Sequence, residues 1–221
     1  MSVDVILPCL DEAQALPGVL SRMPEGYRAI VVDNGSTDGS AEVAAAHGAT
    51  VVHESRRGFG AAVHAGVMAA SADIICVMDA DGSFDPTQLP SLVAPVASDE
   101  VMLMLGNRRP SSWRSWPLHA RFANLVLARL IRRYTRVKVH DLGPMRAIKR
   151  QLLLELDLRD RRSGYPLEML LAVAKMHGRV GELPVTYAPR LGKSKVTGTL
   201  RGTWVAVKDM RAKLREYGRL S

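Results

Sequence analysis

IICVMDADGSFDP, residues 74–86, is the segment on which the interpretation of this chain depends. Its first five residues, Ile74 to Met78, are mainly apolar and predict a buried strand. The apolar run then stops at polar residues that favour a turn and contact with water or a cation: Asp79, Asp81, Gly82 and Asp85. We therefore expect this strand to deliver carboxylates to one edge of a sheet.

Asp79 and Asp81 are two residues apart, so in an extended chain their side chains project to the same side. Two adjacent carboxylates repel each other unless a positive charge lies between them. Mg²⁺, and Mn²⁺ with similar oxygen preferences, commonly binds one or two protein carboxylates and completes its shell with water and substrate phosphates. The pair predicts a divalent metal and a phosphate-containing substrate. The alternative is a polar loop whose aspartates cap the next helix.

Apolar strands and helices alternate on both sides of this segment. The predicted strands are Val3–Leu7, Arg28–Val32, Thr50–His53, Ile74–Met78 and Val101–Leu105. Such alternation predicts an α/β fold, with a Rossmann-like, mainly parallel sheet flanked by helices on both faces. Ligands of such sheets bind beyond the carboxyl ends of the strands.

Polar residues follow four of these five strands. They are Asp11 and Glu12 after the first strand, Asp33 after the second, Asp79 and Asp81 after the fourth, and Asn107 and Arg108 after the fifth. Because the carboxyl ends of parallel strands share one edge, we expect these side chains to line a common crevice. The alternative is a set of independent acidic loops that only promote solubility.

The chain has 221 residues, which suits one well-buried domain, and its hydrophobic share of 47% predicts a folded globule. No apolar run reaches the roughly 20 residues that a membrane-spanning helix needs, and no signal peptide follows Met1. We therefore expect a cytoplasmic protein. Cys9 and Cys76 lie in or beside apolar strands, which predicts buried, free thiols.

The net charge of +8 favours an anionic partner. Basic residues are concentrated between Arg108 and Lys138, whereas aromatic residues make up only 5% of the chain. That is a thin supply for stacking on single-stranded bases, so nucleic acid is not the expected partner. A phosphorylated substrate and an anionic membrane surface remain, and a homo-oligomer stays open.

Taken in order, several motifs resemble the inverting family 2 glycosyltransferases, which have a GT-A fold. They are Pro8-Cys9-Leu10-Asp11-Glu12, VVDNGSTDGS at 31–40, DADGSFDP at 79–86 and Gly106-Asn107-Arg108. Over about Val3 to Val196 the chain is similar to the dolichyl- and polyprenyl-phosphate sugar synthases. The resemblance implies a nucleotide-diphosphate sugar donor of the GDP-mannose or UDP-glucose type, a lipid phosphate acceptor, and Mg²⁺ or Mn²⁺.

The resemblance also implies residue roles. Contacts to the donor nucleotide are implied for Pro8, Leu10, Glu12, Asp33 and Asp79, with Asp81, beside Asp79, at the metal. Two departures stand out. The family often has Asn at the position of Asp11, and Gln or another polar group near Ser83, so the third metal contact stays open.

Two further segments are expected to bind phosphate. In RRGFGAAVHAG, residues 56–66, Arg56 and Arg57 precede glycines at a helix start, where free N–H groups and either arginine could meet a phosphate. The alternative is that these glycines only let the helix pack closely. In PRLGKSKVTG, residues 189–198, Arg190, Lys193 and Lys195 lie in a glycine-containing loop similar to one in the family, which suits a lid that closes on phosphates.

Two basic amphipathic helices are predicted. One lies within residues 117–138, with an apolar stripe of Leu118, Phe122, Leu125, Val126, Leu130 and Ile131, and Trp113 and Trp116 precede it. It either packs on the domain or rests on an anionic membrane, as a peripheral contact at the inner face. The other covers 198–221, after a catalytic domain of residues 1–197.

The acceptor decides whether a general base is needed. A lipid phosphate is largely ionised near pH 7 and can attack unaided, with Arg108 or Arg190 to position it. A sugar hydroxyl would need a base, for which Asp141 and Glu168 are candidates. Asp141 also matches an acidic position near the acceptor in the family. Two other classes stay open, a nucleotidyltransferase and a non-catalytic module that binds nucleotide sugars.

Overall fold

The computed structural model describes residues 2–112, 115–116, 118–135 and 137–191, together with Met210, Lys213, Leu214, Glu216 and Tyr217. The strands within these residues are β1 Val3–Cys9, β2 Tyr27–Asp33, β3 Thr50–His53, β4 Ile74–Val77, β5 Leu103–Pro110, β6 Arg146–Lys149 and β7 Val180–Tyr187. The helices are α1 Leu16–Leu20, α2 Ser40–Ala46, α3 Phe59–Ala69, α4 Leu89–Ala97, α5 Leu118–Thr135, α6 Arg150–Glu155 and α7 Tyr165–Lys175. A 3₁₀ turn, Pro86–Gln88, precedes α4.

The described strands form one sheet in the order β3-β2-β1-β4-β6-β5-β7. β6 is antiparallel to β4 and β5, and the other neighbours pair in parallel. The predicted α/β fold with a mainly parallel sheet is therefore confirmed. Because β6 runs backwards, its first residue, Arg146, is level with Val77 at the end of β4. The loop that precedes β6 consequently reaches the carboxyl edge of the parallel strands.

Alternate residues of β1 enter two separate cores, one on each face of the sheet. Ile6 belongs to the core covered by α3 and α7, whereas Val5 and Leu7 belong to the core covered by α1 and α4. Each such fully buried aliphatic side chain contributes roughly 1.5–3 kcal/mol to folding. α3 lies so close to β1 that a Cβ on Gly66 would stand 2.5 Å from Ile6 Cγ2. This glycine of the RRGFGAAVHAG segment therefore serves close packing.

Some predicted element boundaries were wrong. β5 was expected to end at Leu105, but it continues to Pro110, so Asn107 and Arg108 lie within the strand and not after it. The apolar pattern of this strand ends at Leu105, but its backbone pairs with β7 over the whole range from Leu103 to Pro110. Pairing with a partner strand, which the local pattern does not encode, sets this boundary.

The predicted helix at 198–221 lies largely outside the described residues and stays a prediction, as does the end of the catalytic domain at 197. Within the described part of the chain, no helix combines the length and apolarity needed to cross a membrane. Cys9 and Cys76 are buried and free, as expected. Burial raises the pKa of the Cys9 thiol to about 11, which disfavours the reactive thiolate.

Candidate active site

Strand pairing brings the predicted acidic residues to one edge of the sheet. Asp33 ends β2 and is paired in register with Cys9 at the end of β1. On the other side of β1, Met78 donates its backbone N–H to Ile6 O at 3.1 Å, and Asp79 is the next residue. Asp33 and Asp79 therefore flank the end of β1, which carries Pro8.

Asp79 and Asp81 form a carboxylate pair. Asp81 is buried, with Oδ1 accepting from Ser83 N at 3.0 Å and Oδ2 lying 3.2 Å from Arg190 Nη1. Asp79 keeps some contact with solvent, but the partial burial of its carboxylate and the neighbouring Asp81 charge both raise the pKa of Asp79. A divalent cation would relieve this repulsion, so the pair fits the predicted metal.

Substrate oxygens would have to complete the shell of such a cation. Among the described residues, no group of three or more His, Cys, Asp or Glu side chains is arranged to hold a metal ion. Two carboxylates with substrate phosphates and water are a common arrangement for Mg²⁺. The site is thus suited to a metal that arrives with its phosphate ligand.

The contacts of Asp33 favour the ionised form of its carboxylate. Its Oδ1 accepts from Ser36 N at 2.9 Å, and His53 Nδ1 lies 3.3 Å from its Oδ2. Burial alone would raise the pKa of Asp33, but the contacts with Ser36 and His53 outweigh it and lower that pKa. A nearby N–H donor would therefore meet a charged carboxylate.

The other predicted nucleotide contacts lie beside Asp33. Pro8 and Leu10 are partly exposed, and Glu12 is largely buried, with its backbone N–H donated to Ser40 Oγ at 2.8 Å. This bond ties the loop after β1 to the first residue of α2. The structure brings these residues together at one edge, and their contacts to a nucleotide stay a prediction.

Asn34 was missed by the sequence interpretation. Its Nδ2 donates to Glu54 O and to Arg56 O, both at 2.8 Å, and its Oδ1 accepts from Gly58 N at 2.8 Å. These bonds fix the loop that carries Arg57, whose exposed guanidinium lies over Gly35. The only signal in the sequence was the position of Asn34 directly after Asp33.

Arg108 and Asp141 form a tight pair at the end of β5. Arg108 donates to the Asp141 carboxylate through its backbone N at 2.9 Å, Nε at 2.9 Å and Nη2 at 2.7 Å. The guanidinium also lies 4.1 Å from the Trp116 ring centre and 5.5 Å from that of Tyr187. The carboxylate and the two aromatic rings together fix the direction of the cation.

Gly143 allows the loop before β6 to pass close to β5. A Cβ at this position would overlap Gly106 O, so the loop before β6 crosses β5 in direct backbone contact. The crossing is held by a bond from Gly106 N to Met145 O at 2.8 Å. Only glycine fits where the loop passes β5, and this contact keeps Asp141 beside Arg108.

The segment after β7 lies against the aspartate loop. Ala188 N donates to Ser83 O at 2.8 Å, and Leu191 N donates to Asp81 O at 2.9 Å. Arg190, between them, reaches the Asp81 carboxylate. The remaining predicted residues of this lid, Lys193 and Lys195, lie outside the described residues.

Glu168, the second candidate base, is buried and hydrogen-bonded to the loop before α7 and to Lys213. It is 3% exposed and accepts from Arg159 N at 3.1 Å, Asp160 N at 2.7 Å and Lys213 Nζ at 2.9 Å. These contacts fix the loop before α7 and attach a residue of the C-terminal segment. Glu168 is thus structural in this arrangement.

The predicted apolar stripe of α5 is partly buried and partly exposed. Ile131 is buried in the core and Leu130 packs partly against it. The other four members are exposed by 80%, 67%, 47% and 41%, namely Leu118, Phe122, Leu125 and Val126. The N-terminal half of the helix therefore presents a large apolar face.

A mainly parallel sheet with a carboxylate pair and arginines at its carboxyl edge defines an α/β enzyme of the GT-A class. A sequence profile of "Glycosyl transferase family 2" matches residues 4–156, and the chain belongs to this family. The prediction of a glycosyltransferase is thereby confirmed.

Similar proteins agree with this assignment. An uncharacterized glycosyltransferase of Mycobacterium tuberculosis is 52% identical over 94% of this chain and 95% of its own length. A dolichyl-phosphate hexose transferase of Haloferax volcanii is 28% identical over 98% and 96%. A solved glucosyl-3-phosphoglycerate synthase of M. tuberculosis, with Mn²⁺ and UDP, has a TM-score of 0.76 at 24% identity, covering 98% of this chain and 79% of that one. At that identity the likeness shows the fold.

Proposed function

We propose that this glycosyltransferase moves one sugar from a nucleotide-diphosphate sugar to the phosphate of a polyprenyl or dolichyl lipid, with inversion at the anomeric carbon. The main support is the burial and hydrogen bonding of the Asp141 carboxylate. Its carboxylate is 1% exposed and accepts three hydrogen bonds from Arg108, so it is poorly placed to take a proton from a hydroxyl acceptor.

The second candidate base is also engaged, since Glu168 is buried and paired with Lys213. A hydroxyl acceptor would therefore lack both bases that the sequence suggested. A phosphate monoester has a second pKa of about 6 and is largely dianionic at pH 7, so it can attack without a base. It needs a positioned cation, and Arg108 is held in one direction by Asp141 and Trp116.

The donor side of the proposal uses the residues around the end of β1. Asp33, as an ionised acceptor, would bind an N–H of the base, and Pro8, Leu10 and Glu12 would bound the nucleoside. Asp79 and Asp81 would hold Mg²⁺ or Mn²⁺, which when bound neutralises charge on the leaving diphosphate. Arg57 and Arg190 would supply further cationic contacts to the phosphates, with Lys193 and Lys195 in the same lid.

The similar proteins give further support for each half of this reaction. The H. volcanii relative is a dolichyl-phosphate hexose transferase, a name that specifies a lipid phosphate. The M. tuberculosis synthase was solved with UDP and Mn²⁺, and it acts on a phosphoglycerate. A small phosphorylated hydroxyl acceptor is therefore the natural comparison in an assay.

We also propose that α5 rests on an anionic membrane surface. Its exposed apolar residues Leu118, Phe122 and Leu125 continue at helical spacing into exposed Arg129 and Arg133. One face of the helix is thus apolar in its first half and basic in its second, as in segments that lie among lipid headgroups. Such contact would bring a lipid phosphate to Arg108.

The deciding experiment is a panel of UDP and GDP sugars with Mg²⁺ or Mn²⁺ and three acceptors: a short polyprenyl phosphate, the matching polyprenol and 3-phosphoglycerate. We expect a lipid-linked sugar phosphate and release of a nucleoside diphosphate with the first acceptor alone. Transfer to the alcohol or to 3-phosphoglycerate instead would overturn the proposed acceptor. Release of inorganic diphosphate would indicate a nucleotidyltransferase, and donor binding without any product would indicate a binding module.

A further inference from the structure

The loop of residues 140–142, which carries Asp141, is held between two side chains that the mechanism has not yet used. One is Glu182 on β7 and the other is Asn124 on α5. Asp141 in turn aligns Arg108. The geometry of the arginine therefore depends on residues that do not touch it.

Glu182 holds the loop from the sheet side. Its carboxylate accepts from His140 N at 3.0 Å, from His140 Nδ1 at 2.7 Å and from Asp141 N at 2.9 Å. The side chain of Glu182 is only 11% exposed, whereas that of His140 is 68% exposed, so the bond to Asp141 N is the more sheltered of these contacts. A carboxylate that accepts several N–H groups fixes the backbone more firmly than a neutral acceptor would.

Asn124 holds the same loop from the helix side. Its Nδ2 donates to His140 O at 3.0 Å and its Oδ1 accepts from Leu142 N at 3.2 Å. The amide thus bridges the residues on either side of Asp141. Asn124 belongs to α5, between the exposed Phe122 and Leu125. The acceptor arginine is thereby tied to this helix as well as to the sheet.

We propose that Asn124 and Glu182 are positioning residues that hold Asp141, and through it Arg108, in the orientation that receives the acceptor phosphate. This rests on the proposed function of Arg108. Because one of the two is on α5, a displacement of that helix changes the direction of the arginine. Misplacement of a binding group by about 1 Å costs up to about a hundredfold in rate.

The kinetic test compares Asn124→Ala and Glu182→Ala with the wild type, using a short polyprenyl phosphate. We expect the acceptor KM to rise about tenfold or more, while the donor KM changes little and the melting temperature falls by about a few degrees per lost kcal/mol. Asn124→Asp, which keeps the acceptor for Leu142 N but sets a carboxylate oxygen against His140 O, should not restore the wild-type KM. The control is Ala123→Gly, an exposed neighbour that weakens the helix without touching the loop. An equal rise in the control would overturn the proposal.

A second measurement is independent of the acceptor. The Nε–H signal of Arg108 in a ¹⁵N NMR spectrum, assigned with Arg108→Lys, should exchange slowly with water because Nε is bonded to Asp141. Both alanine variants should exchange at least several times faster. Unchanged exchange would overturn the positioning role even if no lipid product is ever found, whereas faster exchange without lipid product would contradict only the proposed acceptor.

Discussion

Both carboxylate oxygens of Asp141 accept hydrogen bonds from Arg108, at 2.7–2.9 Å, and the carboxylate is almost fully buried. The pair joins β5 to the loop before β6 across 33 residues of sequence. An aspartate in this state orients a cation and is not available to solvent. Substitution of Asp141 therefore distinguishes two mechanisms. In one, Asp141 aligns Arg108, and in the other it acts as a general base.

Asp141→Asn should weaken acceptor binding more than it slows the chemical step. The amide removes the charge and points an N–H at a donor, so Arg108 loses its alignment. We expect an acceptor KM at least about tenfold higher, a kcat at saturation within about tenfold, and a free energy of unfolding lower by about 1–3 kcal/mol. Steady-state kinetics and urea unfolding measure these. A kcat that falls about a thousandfold with an unchanged acceptor KM would identify Asp141 as a base instead.

Asp81→Asn should leave the fold intact and remove metal-dependent turnover. The substitution halves the charge of the carboxylate pair and leaves Arg190 without its ion partner. We expect kcat to fall by about 10²–10³, since charge on the leaving diphosphate is no longer neutralised. Product formation is measured against Mn²⁺ concentration, with circular dichroism to check folding.

Asp85→Asn is the matched control for that variant. Asp85 lies in the same loop but caps the 3₁₀ turn, accepting from Thr87 N at 3.1 Å. It should keep near-normal activity with at most a small loss of stability. Full activity in Asp81→Asn would retire the metal role assigned to this residue.

The sequence predicted the sheet and its acidic edge because both follow from local pattern. Short apolar runs alternate with helices, Asp33 and Asp79 each come directly after such a run, and Asp81 follows two residues after Asp79. The place of β6 between β4 and β5 could not be predicted, since the choice of neighbour strand is made by tertiary pairing. The roles of Asn34, Asn124 and Glu182 were hidden for the same reason. Their partners lie between 16 and 42 residues away.

Protonation of Asp4 at low pH should lower the free energy of unfolding. Asp4 lies near the start of β1, at the end of the sheet opposite the candidate active site. Asp4 is 2% exposed and accepts from Arg28 Nε at 2.8 Å and from Ser71 N at 2.8 Å. Burial alone would raise the pKa of Asp4, but the bonds from Arg28, Ala72 and Ser71 outweigh it and lower that pKa below 3.8. A lowered carboxyl pKa contributes stability above the unfolded pKa, and this is lost as pH falls through the folded pKa.

Asp4→Asn should therefore unfold more easily than the wild type at pH 7, by about 2 kcal/mol, and the difference should shrink below pH 3.8. Urea unfolding at pH 7 and near pH 3 measures this. Asp73→Asn, at an exposed aspartate directly before β4, is the control, and its free energy of unfolding at pH 7 should stay close to that of the wild type. A constant gap between Asp4→Asn and wild type at both pH values would contradict the linkage.

Charge reversal on α5 tests whether this helix meets a membrane. Arg129, Arg132 and Arg133 are exposed, and each basic residue near an anionic surface contributes about 1 kcal/mol to binding. Replacing all three by Glu should weaken binding to phosphatidylglycerol vesicles by about a hundredfold or more, as measured by sedimentation, and leave the weak binding to phosphatidylcholine unchanged. The control reverses three other exposed arginines, Arg22, Arg159 and Arg179, which alters the net charge equally. If the two triple variants lose binding to the same extent, overall charge and not α5 attracts the protein to lipid. If neither loses binding, the membrane contact lies elsewhere or does not exist.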